Sequence, residues 1–166
     1  HLCNGPTIGY RQRGRMILPS QPSLFDDEKP LVPAVTVAEA IGDLPALCSG
    51  EVETKYTRGP ENSYQRERRG GSDRLTWHSS TKHSAKMLEI IRHAGKNISC
   101  IPPHLITSGF SSCYSRLGAD EPAVTITVNF VHPASNRCIH PSQDRALTPR
   151  EGARLQSFDD SFRFYG

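Results

Sequence analysis

Apolar positions in this chain fall in short groups separated by long polar stretches. Gly14-Arg15-Met16-Ile17-Leu18 ends in an apolar run closed by Pro19, which predicts a short buried strand entered from an arginine-rich turn. Proline, serine and aspartate dominate from Pro19 to Pro33, the composition of a loop. A helix follows: Thr36 with Glu39 three positions on forms a capping box, Val37, Ala40, Ile41 and Leu44 share one face, and Pro45 stops it. From Ser49 to Arg74 no apolar period is visible, and Arg66, Arg68 and Arg69 bunch before Gly70-Gly71, so this stretch reads as a mobile, solvated loop. Lys82 to Ala94 places Met87, Leu88 and Ile91 at helical spacing, with Gly95 positioned for a left-handed cap. Val124-Thr125-Ile126-Thr127-Val128 is β-branched almost throughout and gives the strongest strand signal, between Pro122 and Pro133. The last element is the most fully specified: Thr148 as cap, Pro149 at the first helical position, Glu151 closing a capping box, then Ala153, Leu155 and Gln156. There is no internal repeat.

Composition narrows the class more than the function. A chain of 166 residues is long enough for one packed domain, and 13 glycines with 13 prolines predict long irregular segments. A net charge of +3 permits binding to a phosphate backbone without requiring it. Cys3, Cys48, Cys100, Cys113 and Cys138 are scattered without a CxxC pair, which points to reduced thiols in a cytoplasmic protein instead of a disulfide framework. No apolar run reaches the roughly 18 residues needed to span a bilayer, so no membrane partner is expected. His78, His83 and His93 have no cysteine or carboxylate at ligand spacing; no metal is expected, and they read as surface or packing residues.

The chemistry-bearing residues cluster towards the end. The run Arg145-Ala-Leu-Thr-Pro-Arg-Glu-Gly-Ala-Arg-Leu-Gln-Ser-Phe-Asp-Asp-Ser-Phe resembles motif IX of the DNA (cytosine-5) methyltransferases. Arg145, Leu147, Thr148, Arg150, Glu151, Ala153, Arg154, Leu155, Gln156, Phe158 and Asp160 match that pattern. In the family this motif organises the recognition domain, so Arg145, Thr148, Arg150, Glu151 and Arg154 are expected to be structural. Two positions depart: Gly152 stands where the family has a small alanine or cysteine, and Asp159 replaces the proline of the following turn. Gly152 is expected to weaken the helix by up to about 1 kcal/mol relative to alanine.

Upstream, Cys113-Tyr-Ser-Arg-Leu, Pro122-Ala-Val-Thr-Ile-Thr-Val-Asn-Phe and Asn136-Arg-Cys-Ile-His-Pro resemble the end of the target-recognition region of the same family. The resemblance implies that Arg116 contacts guanine or phosphate and that Thr125, Ile126 and Thr127 lie beside the extruded base. An arginine fork suits the two acceptors of guanine in the major groove. The plainer readings are a surface ion pair of Arg116 with Asp120 or Glu121, and a core strand for residues 124–128. Near the start, Arg13-Gly14-Arg15 before the apolar strand resembles motif VIII, with Arg11 or Gln12 in place of its glutamine. That likeness gives Arg13 and Arg15 a catalytic place, Arg15 holding the O2 of the target cytosine while charge builds on the ring.

The three resemblances occur in family order and imply an α+β target-recognition domain with short strands and long loops, plus an N-terminal strand from a doubly wound α/β methyltransferase domain. The expected division is 1–20 for the end of the catalytic domain, 21–144 for target recognition and 145–166 for the motif IX helix leading back. The family's proline-cysteine nucleophile, glycine-rich cofactor loop and glutamate-asparagine-valine are absent from this sequence; Glu61-Asn62-Ser63 follows motif VIII instead of preceding it and is set aside. Both ends look like cuts, so the chain is expected to be the inactive C-terminal part of a bacterial or phage-encoded enzyme. Its implied partners are double-stranded DNA with a flipped cytosine and a catalytic domain in cis or in trans. S-adenosylmethionine is then bound mainly by the other part. A recognition subunit of a split enzyme and a non-catalytic DNA-binding module remain alternatives.

Overall fold

The computed structural model describes residues 11–12, 15–16, 33–107 and 109–165. Contacts divide the chain into two units, at Pro33 and Ala34. In the first unit, β1 (Arg11–Gln12) pairs antiparallel with β2 (Arg15–Met16), in the register Arg11 with Met16 and Gln12 with Arg15. Arg15 therefore lies on a strand as expected. Arg13, Gly14, Ile17 and Leu18 lie outside the described residues, as does the expected loop up to residue 32.

The second unit is built on four helices. Helix α1 (Val37–Ile41) carries the anticipated capping box, the Thr36 hydroxyl accepting from Glu39 N while the Glu39 carboxylate accepts from Thr36 N. Val37, Ala40 and Ile41 are buried and face α4 and α2. Helix α2 (Ser63–Arg69) overturns the reading of 49–74 as a mobile loop. Asn62 caps it through Gln65 N, and Gly70 ends it in the left-handed region at φ 55. The sequence hid this helix because its buried face is polar: Gln65 is buried and donates its amide to Glu39 O at 2.8 Å, and Arg69 is buried too. A hydrophobic period is blind to such a face.

Helix α3 (Ala85–His93) begins three residues later than Lys82, because Ser84 caps it through Met87 N. It ends at Ala94 in extended backbone, and Gly95 is not left-handed; a Cβ on Gly95 would meet Cys100 Sγ at 2.6 Å, so close packing is what requires the glycine. Two 3-10 turns follow, Ile98–Cys100 and Pro103–Leu105. Strand β3 (Ser115–Arg116) pairs parallel with β4 (Arg137–Ile139), and Ile139 bridges to Ala146. Helix α4 (Pro149–Leu155) has the cap, proline and capping box the sequence specified.

One core cluster joins Val37, Ala40, Ile41, Leu44, Leu75, Leu117 and Leu147. A smaller one joins Ile91, Ala94 and Ile139. The expected strand at Val124–Val128 does not form; no residue of that stretch is paired in a ladder among the described residues. β-branching favours an extended backbone, but a strand also needs a neighbouring edge. Here the chain is led along α1 instead, whose first amides, Val37 N and Ala38 N, donate to Glu121 O and Ala119 O at 2.9 Å each. No helix among the described residues is long and apolar enough to cross a membrane.

Candidate nucleic-acid interface

The last helix and the segment leading into it deliver three arginines, Arg145, Arg150 and Arg154, into the interior, all fully buried. Arg145 donates to both carboxylate oxygens of Glu151, at 2.8 and 2.6 Å, and to the carbonyls of Ala146 and Leu47. Burial raises the Glu151 carboxyl, but the bonds from Arg145 and the Arg145 charge together with the smaller pulls of His140 and His78 hold it below the ordinary carboxylate value. Arg154 grips Asp160 in bidentate fashion at 2.6 Å twice, and reaches Ala40 O at 3.0 Å and Asp43 at 3.1 Å. Burial opposes the Arg154 charge, yet the bonds from Asp160 and then Asp43 raise its pKa above the usual arginine value. Arg150 fastens the neighbouring loops, donating to Thr76 O, Thr76 Oγ1, Asp159 O and Phe162 O.

Around this lattice burial lowers the pKa of three histidines, His78, His83 and His140. His78 Nε2 lies 2.8 Å from Pro45 O, an acceptor only, so that nitrogen carries the proton and Nδ1 accepts from the Thr148 hydroxyl at 3.0 Å. His140 Nδ1 accepts from Ser142 N and Gln143 N; burial pushes its pKa down to about 4, although Glu151 lies 3.7 Å from Nε2 and pulls upward. His83 Nε2 accepts from Ala146 N at 3.2 Å, and burial lowers it as well. His93 is exposed on α3. No group of three His, Cys, Asp or Glu side chains able to hold a metal occurs among the described residues.

Arg116 is bonded on every side within the protein. Its Nε donates to Ala94 O at 3.1 Å, Nη1 to His140 O and Gln143 O at 2.9 and 2.7 Å, and Nη2 to Ile91 O at 3.0 Å and to Asp144. All five guanidinium protons are taken, and the ion-pair partner is Asp144 instead of Asp120 or Glu121.

The stretch 122–130 is seated at three points, the first being Ala123. Ile126 and Phe130 pack on the main core, while Thr125 and Thr127 are exposed and Val128 is 94% exposed. Phe130 lies over Gly152 so closely that a Cβ there would meet its ring at 2.5 Å. The glycine that departs from the family pattern is therefore the floor of a notch for that ring. Beyond α4, Phe158, Phe162 and Phe164 stack with centroids 4.9 to 5.9 Å apart, and Trp77 meets Phe164 edge-on at 6.1 Å.

Sequence reasoning missed four partners of the lattice. Asp43 ends the α1 segment fully buried; Arg69 lies 3.6 Å from it and stacks over Tyr56 at 3.5 Å, and the Tyr56 hydroxyl donates to Asp160. Burial and then Asp160 push the Tyr56 hydroxyl well above its ordinary value. His140 is the fourth. The available signal was a carboxylate at the end of an apolar helix face, at Asp43, facing a chain rich in arginine at helical spacing.

The family model "C-5 cytosine-specific DNA methylase" matches residues 8–166. The chain is 28% identical to the type II methyltransferase M.AgeI of Thalassovita gelatinovora, the match covering 93% of this chain and 50% of the relative. It is 34% identical to the type II methyltransferase M1.HphI of Haemophilus parahaemolyticus, covering 79% of this chain and 29% of the relative. The chain thus spans about half, or less, of the length of these relatives. Among solved structures, a putative DNA modification methyltransferase encoded within an E. coli prophage superposes with a TM-score of 0.53 at 21% identity, covering 81% of this chain and 40% of that one, a likeness of fold. Resting on a match to nearly the whole sequence, this chain belongs to the C-5 cytosine-specific DNA methylase family.

Proposed function

We propose that this chain is the sequence-reading part of a site-specific DNA (cytosine-5)-methyltransferase, which moves a methyl group from S-adenosylmethionine to carbon 5 of a cytosine flipped out of double-stranded DNA. The observation that carries the reading role is the stretch 124–128. It is β-branched, anchored by Ile126, and turns Thr125, Thr127 and Val128 to solvent with no strand partner among the described residues. Hydroxyls and methyl groups on an anchored backbone can make hydrogen bonds and apolar contacts with base edges. Reading falls to Thr125 and Thr127, beside Ile126. Arg116 would reach DNA only by surrendering bonds to four carbonyls and Asp144, so its part is to hold α3, β3 and the 140–144 turn together.

The described residues do not fit a site for S-adenosylmethionine: no glycine-rich turn joins a strand to a helix among them. None of the five cysteines follows a proline, either. Cofactor and nucleophile fall to a catalytic part in cis or in trans, to which residues 1–20 contribute Arg13 and Arg15 beside the cytosine ring. Residues 21–144 then form the recognition domain, 145–166 lead back to the catalytic part, and the enzyme, bacterial or phage-encoded, works in the cytoplasm.

With labelled S-adenosylmethionine and duplex DNA, the chain alone transfers no methyl group, and adding a relative's segment that carries the cofactor loop and proline-cysteine step produces transfer. Transfer by the chain alone overturns the proposal. In the combined enzyme, Thr125→Ala with Thr127→Ala lowers discrimination against a single mismatched pair by about 1 to 3 kcal/mol.

A further inference from the structure

On the far side of α2 from residues 122 and 123 lies an open recess of about 1110 Å³. One wall is the strip Thr54–Pro60 and the other Gly71–Thr76, held together by the Lys55–Arg74 bridge and by Leu75 N donating to Thr54 O at 2.9 Å. Its lining holds Lys55, Arg58, Arg66, Arg69 and Arg74 against a single carboxylate, Asp73. Arg69 is spent internally, on Arg58 O, Tyr56 and Asp43. Arg58 makes an ion pair with Glu61 at 3.1 Å, with both side chains more than half exposed, a kind of pair that yields at little cost. Lys55, Arg66 and Arg74 are exposed and make no ion pair with any described residue. Setting Arg69 against Asp43, four cations face one carboxylate, a local excess equal to the +3 of the whole chain.

The shape suits a charged strand better than a base. Gly59 and Gly71 stand on the rim with open space where a side chain would project, so the mouth is wide. The one aromatic ring in the lining, Tyr56, already has the Arg69 guanidinium stacked over it at 3.5 Å. Fixed cations in an open trough whose single ring is already stacked attract a phosphodiester chain and carry no sequence information. The distance to the reading stretch is right as well. Tyr64 of α2 lines a small hollow with Pro122 and Ala123, while Arg66 and Arg69 of the same helix line the recess, so one helix, about 10 Å across, separates them.

We propose that this recess binds the sugar-phosphate backbone of the same duplex whose bases residues 124–128 read, with Lys55, Arg58, Arg66 and Arg74 as sequence-independent phosphate contacts. The placement rests on the DNA-reading role proposed above.

The test is equilibrium binding of the full chain to a fluorescent duplex of arbitrary sequence, followed from about 50 to 200 mM salt. Arg66→Ala and Arg74→Ala each lower the slope of log affinity against log salt by about 0.9, and the double variant by about 1.8. Arg66→Lys with Arg74→Lys keeps the parental slope, and Lys86→Ala, at an exposed position of α3, leaves it unchanged. Circular dichroism confirms that the variants fold, as expected for side chains that make no hydrogen bond to the described residues. An unchanged slope in the double alanine variant, or no salt-dependent binding by the parent chain, overturns the recess. If Arg66→Ala weakens binding to one sequence only, the recess makes base contacts and the phosphate assignment is overturned while the DNA-reading role stands. If Thr125→Ala with Thr127→Ala leaves discrimination intact while the slope falls as stated, the recess stands and the reading role fails.

Discussion

Replacing Arg154 by methionine removes the centre of the buried lattice while keeping most of the side-chain volume, so the cavity contribution is small. What is lost is electrostatic. Asp160 gives up two bonds of 2.6 Å, and Asp43 gives up one of 3.1 Å and one of 3.4 Å. The nearest cations that remain are Arg69, 3.6 Å from Asp43, and Arg150, 3.7 Å from Asp160, both beyond hydrogen-bond distance, although Tyr56 still donates to Asp160. Both carboxylates stay buried. Stripping one partner from a buried ion pair costs about 3 to 5 kcal/mol, against a typical folding free energy of about 5 to 15 kcal/mol. With a urea slope near 2 kcal/mol per molar, the unfolding midpoint falls by about 2 M, read by far-ultraviolet circular dichroism on the full chain. Adding Asp43→Asn and Asp160→Asn to Arg154→Met recovers part of that loss, because the two buried carboxylates are neutralised while Arg69 and Arg150 keep their carbonyl and hydroxyl acceptors. A single variant within about 1 kcal/mol of the parent, or a triple variant no better than the single, refutes the reasoning.

Acid is expected to loosen the same region. The folded His140 pKa near 4 lies below the ordinary 6.5, so the unfolded chain binds the extra proton; stability is full above 6.5 and drains as pH falls from 6.5 towards 4, by about 3 kcal/mol from this group. Urea midpoints that stay level across that window would contradict it. Arg116→Ala lowers stability by about 2 kcal/mol or more, since five acceptors lose their donor. An unchanged midpoint with lost DNA discrimination would return Arg116 to the DNA. Gly152→Ala brings no gain in melting temperature despite about 1 kcal/mol of better helix propensity, because its Cβ displaces the Phe130 ring, and chymotrypsin then cuts faster after Phe130. A variant stabilised by the full increment, with unchanged cleavage, would show that the notch has room to spare.

The parts of the fold legible in the sequence were those whose information is local. Thr36 with Glu39, and Thr148 with Pro149 and Glu151, announce helix starts because a cap needs only its own four residues. Helix α2 stayed hidden because its buried side, Gln65 and Arg69, is satisfied by Glu39 O, Arg58 O and Asp43, none of them visible in a local pattern. The β-branched run at 124–128 promised a strand that no neighbouring edge was present to complete. The candidate site divides in the same way. Motif IX pointed to Arg145, Arg150 and Arg154 as structural, but not to their counter-charges, since Asp43 lies 111 positions from Arg154. The bonds of Arg116 were not legible because its acceptors are mostly backbone carbonyls, which carry no residue identity.

That separation has its own consequence for how such proteins diversify. The Asp43–Arg154 pair is a clasp that fastens the beginning of the unit to its end, and the price of closing so large a loop grows only slowly with its length. Whatever lies between can therefore lengthen, shorten or be exchanged while the clasp stays shut.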